Sequence, residues 1–157
     1  QGITGHRLRQ HGEWFLMHMH QEPLTMLAQP MTGDALPLVK DFLTQQVLKL
    51  RHSGVQANRI VLDPGIGFGK TLEQNLCLLQ RQSELLSLGY PLMAGWSRKG
   101  TLGKLTAIQG KAPEPKDRVG ANVAAALIAV QNGASVVRVH DVKETVQALR
   151  VWQSLKI

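Results

Sequence analysis

Four short apolar runs, each followed along the chain by a helical pattern, constrain the fold more than any other feature. The runs fall at residues 14–19, 59–63, 91–95 and 135–139, and all are dense in Val, Ile, Leu, Met or aromatic residues. Segments of this length and composition read as strands. Between them, residues 36–52 carry apolar side chains at helical spacing (Leu36, Val39, Phe42 or Leu43, Val47, Leu50), with Gly54 as a stop. Thr71-x-x-Gln74 is a capping-box pattern and predicts a helix from there to Leu88, ended by Gly89. Residues 117–132 predict an alanine-rich helix with Val119, Val123, Leu127 and Val130 on one side and Gly133 at its end. Asp141-x-x-Glu144 predicts a second capping box, opening a last helix towards Leu155. The basic, proline-containing segment 102–116 predicts an exposed loop with one helical turn. Strands alternating with helices long enough to cross over imply a parallel sheet covered by helices.

The second strand runs into Asp63-Pro-Gly-Ile-Gly-Phe-Gly-Lys-Thr71. An acid at the end of an apolar run is either paired or used. Glycine at alternate positions lets backbone approach something closely or take a positive φ, and neither demand alone asks for three. Gly69-Lys70-Thr71 resembles the end of a phosphate-cradling P-loop, but that pattern needs glycine where Pro64 stands, so nucleotide hydrolysis is set aside.

All four strands end in polar chemistry: His18 and His20, then Asp63, then Ser97, Arg98 and Lys99, then Arg138 and His140. A single such residue is ordinarily a cap or a satisfied polar group. In parallel α/β folds the C-terminal strand edges share one face, so four in succession point to a common site. Two readings of that site compete. His18-x-His20, with His140 and Asp141, suits a metal-dependent hydrolase, since strand periodicity would put both rings on one face. Lys99, Arg98 and Arg138 around one carboxylate suit an anionic, phosphorylated substrate better.

Bulk properties narrow the partners. The chain has 157 residues, 43% hydrophobic and 18% charged, as expected of a single globular domain spanning residues 1–157. No apolar run approaches a membrane span and no signal-peptide pattern opens the chain, so no membrane partner is expected. It begins at Gln1 and not Met, as a piece of a longer protein would. Cys77, the one cysteine, excludes an internal disulfide, fits a reducing compartment, and sits in a leucine-rich helix as an expected core residue. The net charge of +7 is scattered and aromatics are only 4%, so an anionic small molecule is favoured over nucleic acid.

Four blocks carry a family resemblance: Leu16-Met-His-Met19 with Thr25-Met26, Asp63-Pro-Gly-Ile-Gly-Phe-Gly-Lys70, Gly95-Trp-Ser-Arg-Lys99, and Val137-Arg-Val-His-Asp-Val142. In order and approximate spacing they resemble the motifs of the dihydropteroate synthase family of pterin-binding barrels. The resemblance implies a TIM (β/α)8 barrel, of which this chain would be the four C-terminal βα units, a half barrel. It implies condensation of 6-hydroxymethyl-7,8-dihydropterin diphosphate with p-aminobenzoate to 7,8-dihydropteroate and pyrophosphate, on the way to folate. By motif, Asp63 would bind the pterin N–H edge. Lys99 would contact the pterin beside the aminobenzoate, and Arg138 would stack on the pterin and hold the diphosphate with His140. Phe68 would meet the aminobenzoate ring, Met17 would line the pterin pocket, and Gly67 would lie in the loop beneath the substrate. Lys99, Arg138 and His140 are the expected catalytic residues, and Ser97 is expected to be structural.

At Gly100 the family usually carries Ser or Arg, which leaves backbone or water for the aminobenzoate carboxylate. His20-Gln21 stands where Gln-Gly is expected, and Ile3-Thr4-Gly5 resembles the end of a fourth barrel strand. Mg²⁺ is an expected cofactor, its ligand lying in the N-terminal half, and none of the candidate residues here is assigned to metal. Sulfonamide binding, a homodimer and a cytoplasmic location are further expectations. The segment alone is expected to be inactive, and a non-catalytic, degenerate barrel half is the alternative outside enzymology.

Overall fold

The computed structural model describes residues 12–20 and 31–155. The basic opening segment with Ile3-Thr4-Gly5, the first loop around Pro23, Gln21, Thr25-Met26 and Pro30 lie outside the described residues. Four strands, β1 (Trp14–Met17), β2 (Ile60–Asp63), β3 (Leu92–Ala94) and β4 (Ala134–Val137), form one parallel sheet in the order β1-β2-β3-β4. Five helices are described: α1 (Ala35–His52), α2 (Leu72–Gln80), α3 (Gly100–Leu105), α4 (Val119–Gln131) and α5 (Val142–Ser154).

Spatial order equals sequence order, so every crossover steps the same way. Right-handed crossovers that all step one way place their helices on one face of the sheet. The residues bear this out. Leu16, Ile60, Leu62, Leu92 and Ala94 alternate along their strands and pack against Leu36, Val39, Leu43, Leu78, Leu85, Ala125 and Ala129. The intervening positions form the other face, where register pairs Phe15 with Val61, Met17 with Asp63, and Met93 with Val136. That face is open: Phe15 is 47% and Val136 40% exposed. A sheet with helices on one side and an apolar, uncovered other side is the wall of a barrel, seen over part of its circumference.

Local sequence accounts for most boundaries. Asp34 caps α1 by accepting from Leu36 N at 3.0 Å, and the buried stripe Leu36, Val39, Leu43, Val47 and Leu50 follows the expected spacing. Gly54, at φ 86°, lets the chain leave the helix. Thr71 and Gln74 make both bonds of the capping box that opens α2. The α-helix then stops at Gln80 instead of Leu88, and residues 82–88 continue as a tighter 3₁₀ helix. The change turns Gln82 into the interior, where its amide donates to Ala129 O (2.9 Å) and Asn132 O (3.3 Å) at the C-terminal end of α4. Cys77 is half-buried beside Arg81 Nη1, at 3.7 Å, and is not the core residue that the leucine-rich pattern suggests.

One further expectation is corrected. α4 buries Asn122, Ala125, Ala126 and Ala129, while Val119, Val123, Leu127 and Val130 lie half-buried on its flanks. Small side chains let this helix come close to the sheet, which a row of valines would prevent. Segment 102–116 is mostly the expected exposed stretch with a helical turn: it opens inside the six-residue α3 and runs to a 3₁₀ turn at Pro115–Asp117.

Ala129 has no exposed surface. Ala129→Leu should therefore cost about 1–3 kcal/mol through overpacking, whereas Ala124→Leu on the exposed side of α4 should be nearly neutral. Urea midpoints of the two variants check this, and equal midpoints would contradict the packing.

Candidate active site

The β2 strand places Asp63 with its side chain on the open face, in register with Met17 of β1. The carboxylate is 2% exposed, and Oδ1 accepts from Gly65 N at 2.7 Å. Burial holds its pKa above the ordinary carboxylate value, against the Gly65 bond and the charges of Arg138, Lys99 and Lys70. Among the described residues no side-chain ammonium or guanidinium pairs directly with it. Three cations therefore surround the acid without touching it.

The glycine loop explains why. Gly65, Gly67 and Gly69 all take positive φ, and at each one a Cβ would also meet a neighbour. At Gly65 it would lie 1.7 Å from His18 O, and at Gly69 2.5 Å from His20 O. Close approach and left-handed backbone are thus both needed, and that is what three glycines supply. The loop amides bond within the protein: Gly65 N to Asp63, Gly67 N to Asn75 Oδ1 at 2.8 Å, Phe68 N to Gly65 O at 3.2 Å. With these three N–H groups turned to protein acceptors the loop does not present them to a phosphate, in line with Pro64. Lys70 is buried, and its Nζ donates to Gly65 O (2.7 Å) and Phe68 O (3.2 Å). Burial lowers its pKa to about 7, with Asp63 opposing and Lys99 adding to the shift. It acts as a strut under the loop.

Lys99 reaches over this loop. Its chain passes Gly67, where a Cβ would come within 3.1 Å of Lys99 Cδ, and Nζ lies 4.0 Å from the centroid of the Phe68 ring. That contact is a cation–π interaction, and it aligns the ring and the ammonium. Burial first, then the charge of Arg138, lower the Lys99 pKa, and Asp63 opposes them. Arg138 lies across Gly95, where a Cβ would be 2.8 Å from Nη2. Its backbone N donates to Ala94 O at 2.9 Å, extending the β3–β4 ladder by one residue. His140 is exposed and is held by Ser97, whose Oγ accepts from His140 N at 3.2 Å and lies 3.0 Å from Nδ1. Ser97 is thus a support. Gly100, the first residue of α3, is exposed with open space around its Cα.

Asp63, Gly67, Phe68, Lys99 and Arg138 therefore converge at the C-terminal edge of the sheet, with Met17 in register and His140 alongside. His18 does not join them. It is 5% exposed and packs edge-on against Phe42 of α1, with ring centroids 5.0 Å apart. His18 N donates to Asp63 O at 3.0 Å and its side chain follows Leu16 onto the helix-covered face, away from Met17 and Asp63, so it does not open towards the site as a metal ligand there. Burial, followed by Lys70 and His20, lowers the His18 pKa to about 3 and keeps the ring neutral. No group of three or more His, Cys, Asp or Glu suited to a metal occurs among the described residues. Magnesium fits them poorly as well, because Asp63 stands among cations and Asp141 is held by Asn122 and Arg98.

Three polar residues central to this geometry were not singled out from sequence: Lys70 as a strut, Asn75 and Asn122. Both asparagines sit on the inward face of a helix and are 1% exposed. An amide at an apolar-stripe position, as Asn75 is three residues before Leu78, is the signal that could have found them.

The carboxylate and cations lie at the C-terminal edge of parallel strands, the edge at which (β/α)8 barrels carry their sites, and the described sheet is one part of such a barrel. Residues 8–140 match the family described as pterin binding enzyme. The chain belongs to the pterin-binding enzyme family. Dihydropteroate synthase of Escherichia coli (strain K12) is 40% identical over 139 residues, an alignment covering 88% of this chain and 48% of that protein. The crystal structure of dihydropteroate synthase from Stenotrophomonas maltophilia with active site-bound imidazole superposes with TM-score 0.84 and 46% identity, over 90% of this chain and 52% of that one. The enzyme from Thermus thermophilus in complex with 6HMPPP gives TM-score 0.82 and 44% identity, over 90% and 54%. The chain spans about half the length of the relatives it matches.

The neutral His18 generates a pH test. Its folded-state pKa, about 3, lies below the ordinary 6.5, so the unfolded chain binds more protons between these values and stability rises with pH there. Going from about pH 6.5 to about pH 5 should cost about 2 kcal/mol through this residue. His18→Gln should flatten that slope in denaturant titrations. An unchanged slope would mean that His18 is not the buried neutral group.

Proposed function

We propose that these residues are the pterin- and aminobenzoate-binding part of a dihydropteroate synthase, active in the protein with a complete barrel. The observation that carries the reading is the buried Asp63 carboxylate, ringed but not paired by Lys70, Lys99 and Arg138. Such a site complements a ligand with N–H donors at one end and an anionic group at the other, which a pterin diphosphate is. The open apolar face with Phe15 and Val136 is the surface a complete barrel would enclose.

In this reading Asp63 accepts from the pterin amino and ring N–H groups, with Met17 beside it. Arg138 lies over the pterin plane and, with His140, faces the diphosphate. Phe68 holds the aminobenzoate ring, and Lys99, fixed over Phe68, lies between the two substrates. The reaction breaks the C–O bond between the pterin methylene and the diphosphate, and the bonding pair leaves on the diphosphate oxygen. The arylamine lone pair forms the new C–N bond, and the nitrogen gives up a proton. The protein's part is to orient the two substrates and to hold cations where negative charge grows on the leaving group. No covalent nucleophile is required. Mg²⁺ would draw its ligands from residues beyond those described. A sulfonamide, sharing the arylamine end of p-aminobenzoate, would compete at Phe68 and Lys99. A homodimer in the reducing cytoplasm completes the proposal.

The test is pyrophosphate release by the full-length protein supplied with both substrates. Lys99→Ala and Arg138→Ala should each lower it by about 100-fold or more. Near-normal rates in both would sink the site. Gly100→Ser should be accommodated in the open space at the start of α3, stabilise by about 0.5–1 kcal/mol, and lower the KM for p-aminobenzoate. A raised KM would place the aminobenzoate carboxylate elsewhere.

A further inference from the structure

Arg98 is one of two non-glycine residues among those described with a positive φ, at 62°. Side-chain-bearing residues rarely adopt this conformation, and it persists where the surroundings hold it. Here the surroundings form a closed ring. Arg98 N donates to Asn122 Oδ1 at 2.9 Å, Asn122 Nδ2 donates to Asp141 Oδ2 at 2.7 Å, and Arg98 Nη2 returns to Asp141 Oδ1 at 3.2 Å. Arg118 braces the same turn, with Nη1 3.2 Å from both Arg98 O and Lys99 O.

The ring joins two loops that carry different parts of the site. Arg98 immediately precedes Lys99 in the loop after β3. Asp141 immediately follows His140, in the loop after β4 that also carries Arg138. Asn122 comes from α4, the helix that connects these strands, and is 1% exposed. The Asp141 carboxylate does not cap α5, although sequence predicts that it should. It faces the ring instead, and the Asn122 amide followed by Arg98 hold its pKa below the ordinary value.

We propose that Asn122 is a positioning residue: by fixing Arg98 in the left-handed conformation and tying it to Asp141, it sets Lys99 relative to Arg138 and His140. The proposal rests on the reading of the site given above and deepens it. Asn122 does not reach the open face, so its effect on turnover passes through the two loops. A displacement of these cations by a fraction of their separation is enough to slow a reaction that depends on orientation.

The test compares the full-length protein with Asn122→Ala and with the double variant Asn122→Ala/Arg98→Gly. It measures steady-state kinetics and amide hydrogen exchange. Asn122→Ala should lower kcat by about tenfold to a hundredfold while both KM values stay within about threefold. Exchange should quicken at 97–100 and 138–141 and not in α1 or β2. Glycine adopts a positive φ without an anchor but cannot restore the bond to Asp141, so the double variant should recover only part of the lost kcat. A kcat within about twofold of wild type in Asn122→Ala overturns the proposal. So does a loss accompanied by faster exchange throughout the chain. If the wild-type protein makes no dihydropteroate, the functional reading fails by itself. Exchange at Arg98 and at 138–141 then still decides the clamp: faster in Asn122→Ala sustains it, unchanged overturns it.

Discussion

Burial of the Asp63 carboxylate is the interaction on which the rest of the site depends. An ionised acid out of water is costly unless charges or donors compensate it, and direct pairing would be the simplest compensation. This chain does otherwise. Asp63 accepts one backbone bond, from Gly65, and its three neighbouring cations are each held by something else. Lys70 is fixed to the carbonyls of Gly65 and Phe68, Lys99 lies over the Phe68 ring, and Arg138 is laid across Gly95. Charge is thereby kept apart, and a ligand of matching polarity can enter between.

Keeping charges apart needs rigid supports, and the supports come from unlike sources. Beneath the acid, glycines at positive φ bring the loop against His18 O and His20 O, and Asn75 ties Gly67 N to Thr71 and Thr101. Beside it, Ser97 and the ring through Arg98, Asn122 and Asp141 join the last two loops. In each region a helix asparagine, fully buried, serves a loop at the strand end. Helix packing and site geometry are therefore one problem: α2 and α4 must sit close to the sheet for their amides to reach. The alanine stripe of α4 is what allows that approach.

This division also explains what the residues reveal when read in a line. Alternating strands and helices, the cap at Thr71, and the polar strand ends were all legible, because each rests on local periodicity or local hydrogen bonding. The convergence of Asp63, Lys99, Arg138 and His140 was legible as well, since parallel strands share an edge. Three features were not. The orientation of His18 depends on which face of β1 the helices cover, and packing against Phe42 of α1 puts it with Leu16 on that face. The inward face of α4 depends on sheet distance, which favours alanine over the valines that hydrophobicity alone selects. Asp141 has the spacing of a cap, yet a buried amide and a guanidinium from other elements compete for it and win.

The same competition bears on how such a site tolerates an incomplete wall. The contacts that shape it run between neighbouring strands or from a strand to its own crossover helix: β1 to β2 at Met17 and Asp63, β3 to β4 at Gly95 and Arg138, α4 to both last loops. None of them requires the sheet to close. Closure matters for the open face, where Phe15 and Val136 face solvent. The charged rim is thus set locally, whereas enclosure from water, which strengthens every electrostatic interaction with a bound ligand, belongs to the whole barrel. The geometry of the charged rim and its enclosure from water are therefore separable properties of this fold, and the contacts among the described residues set the first of them.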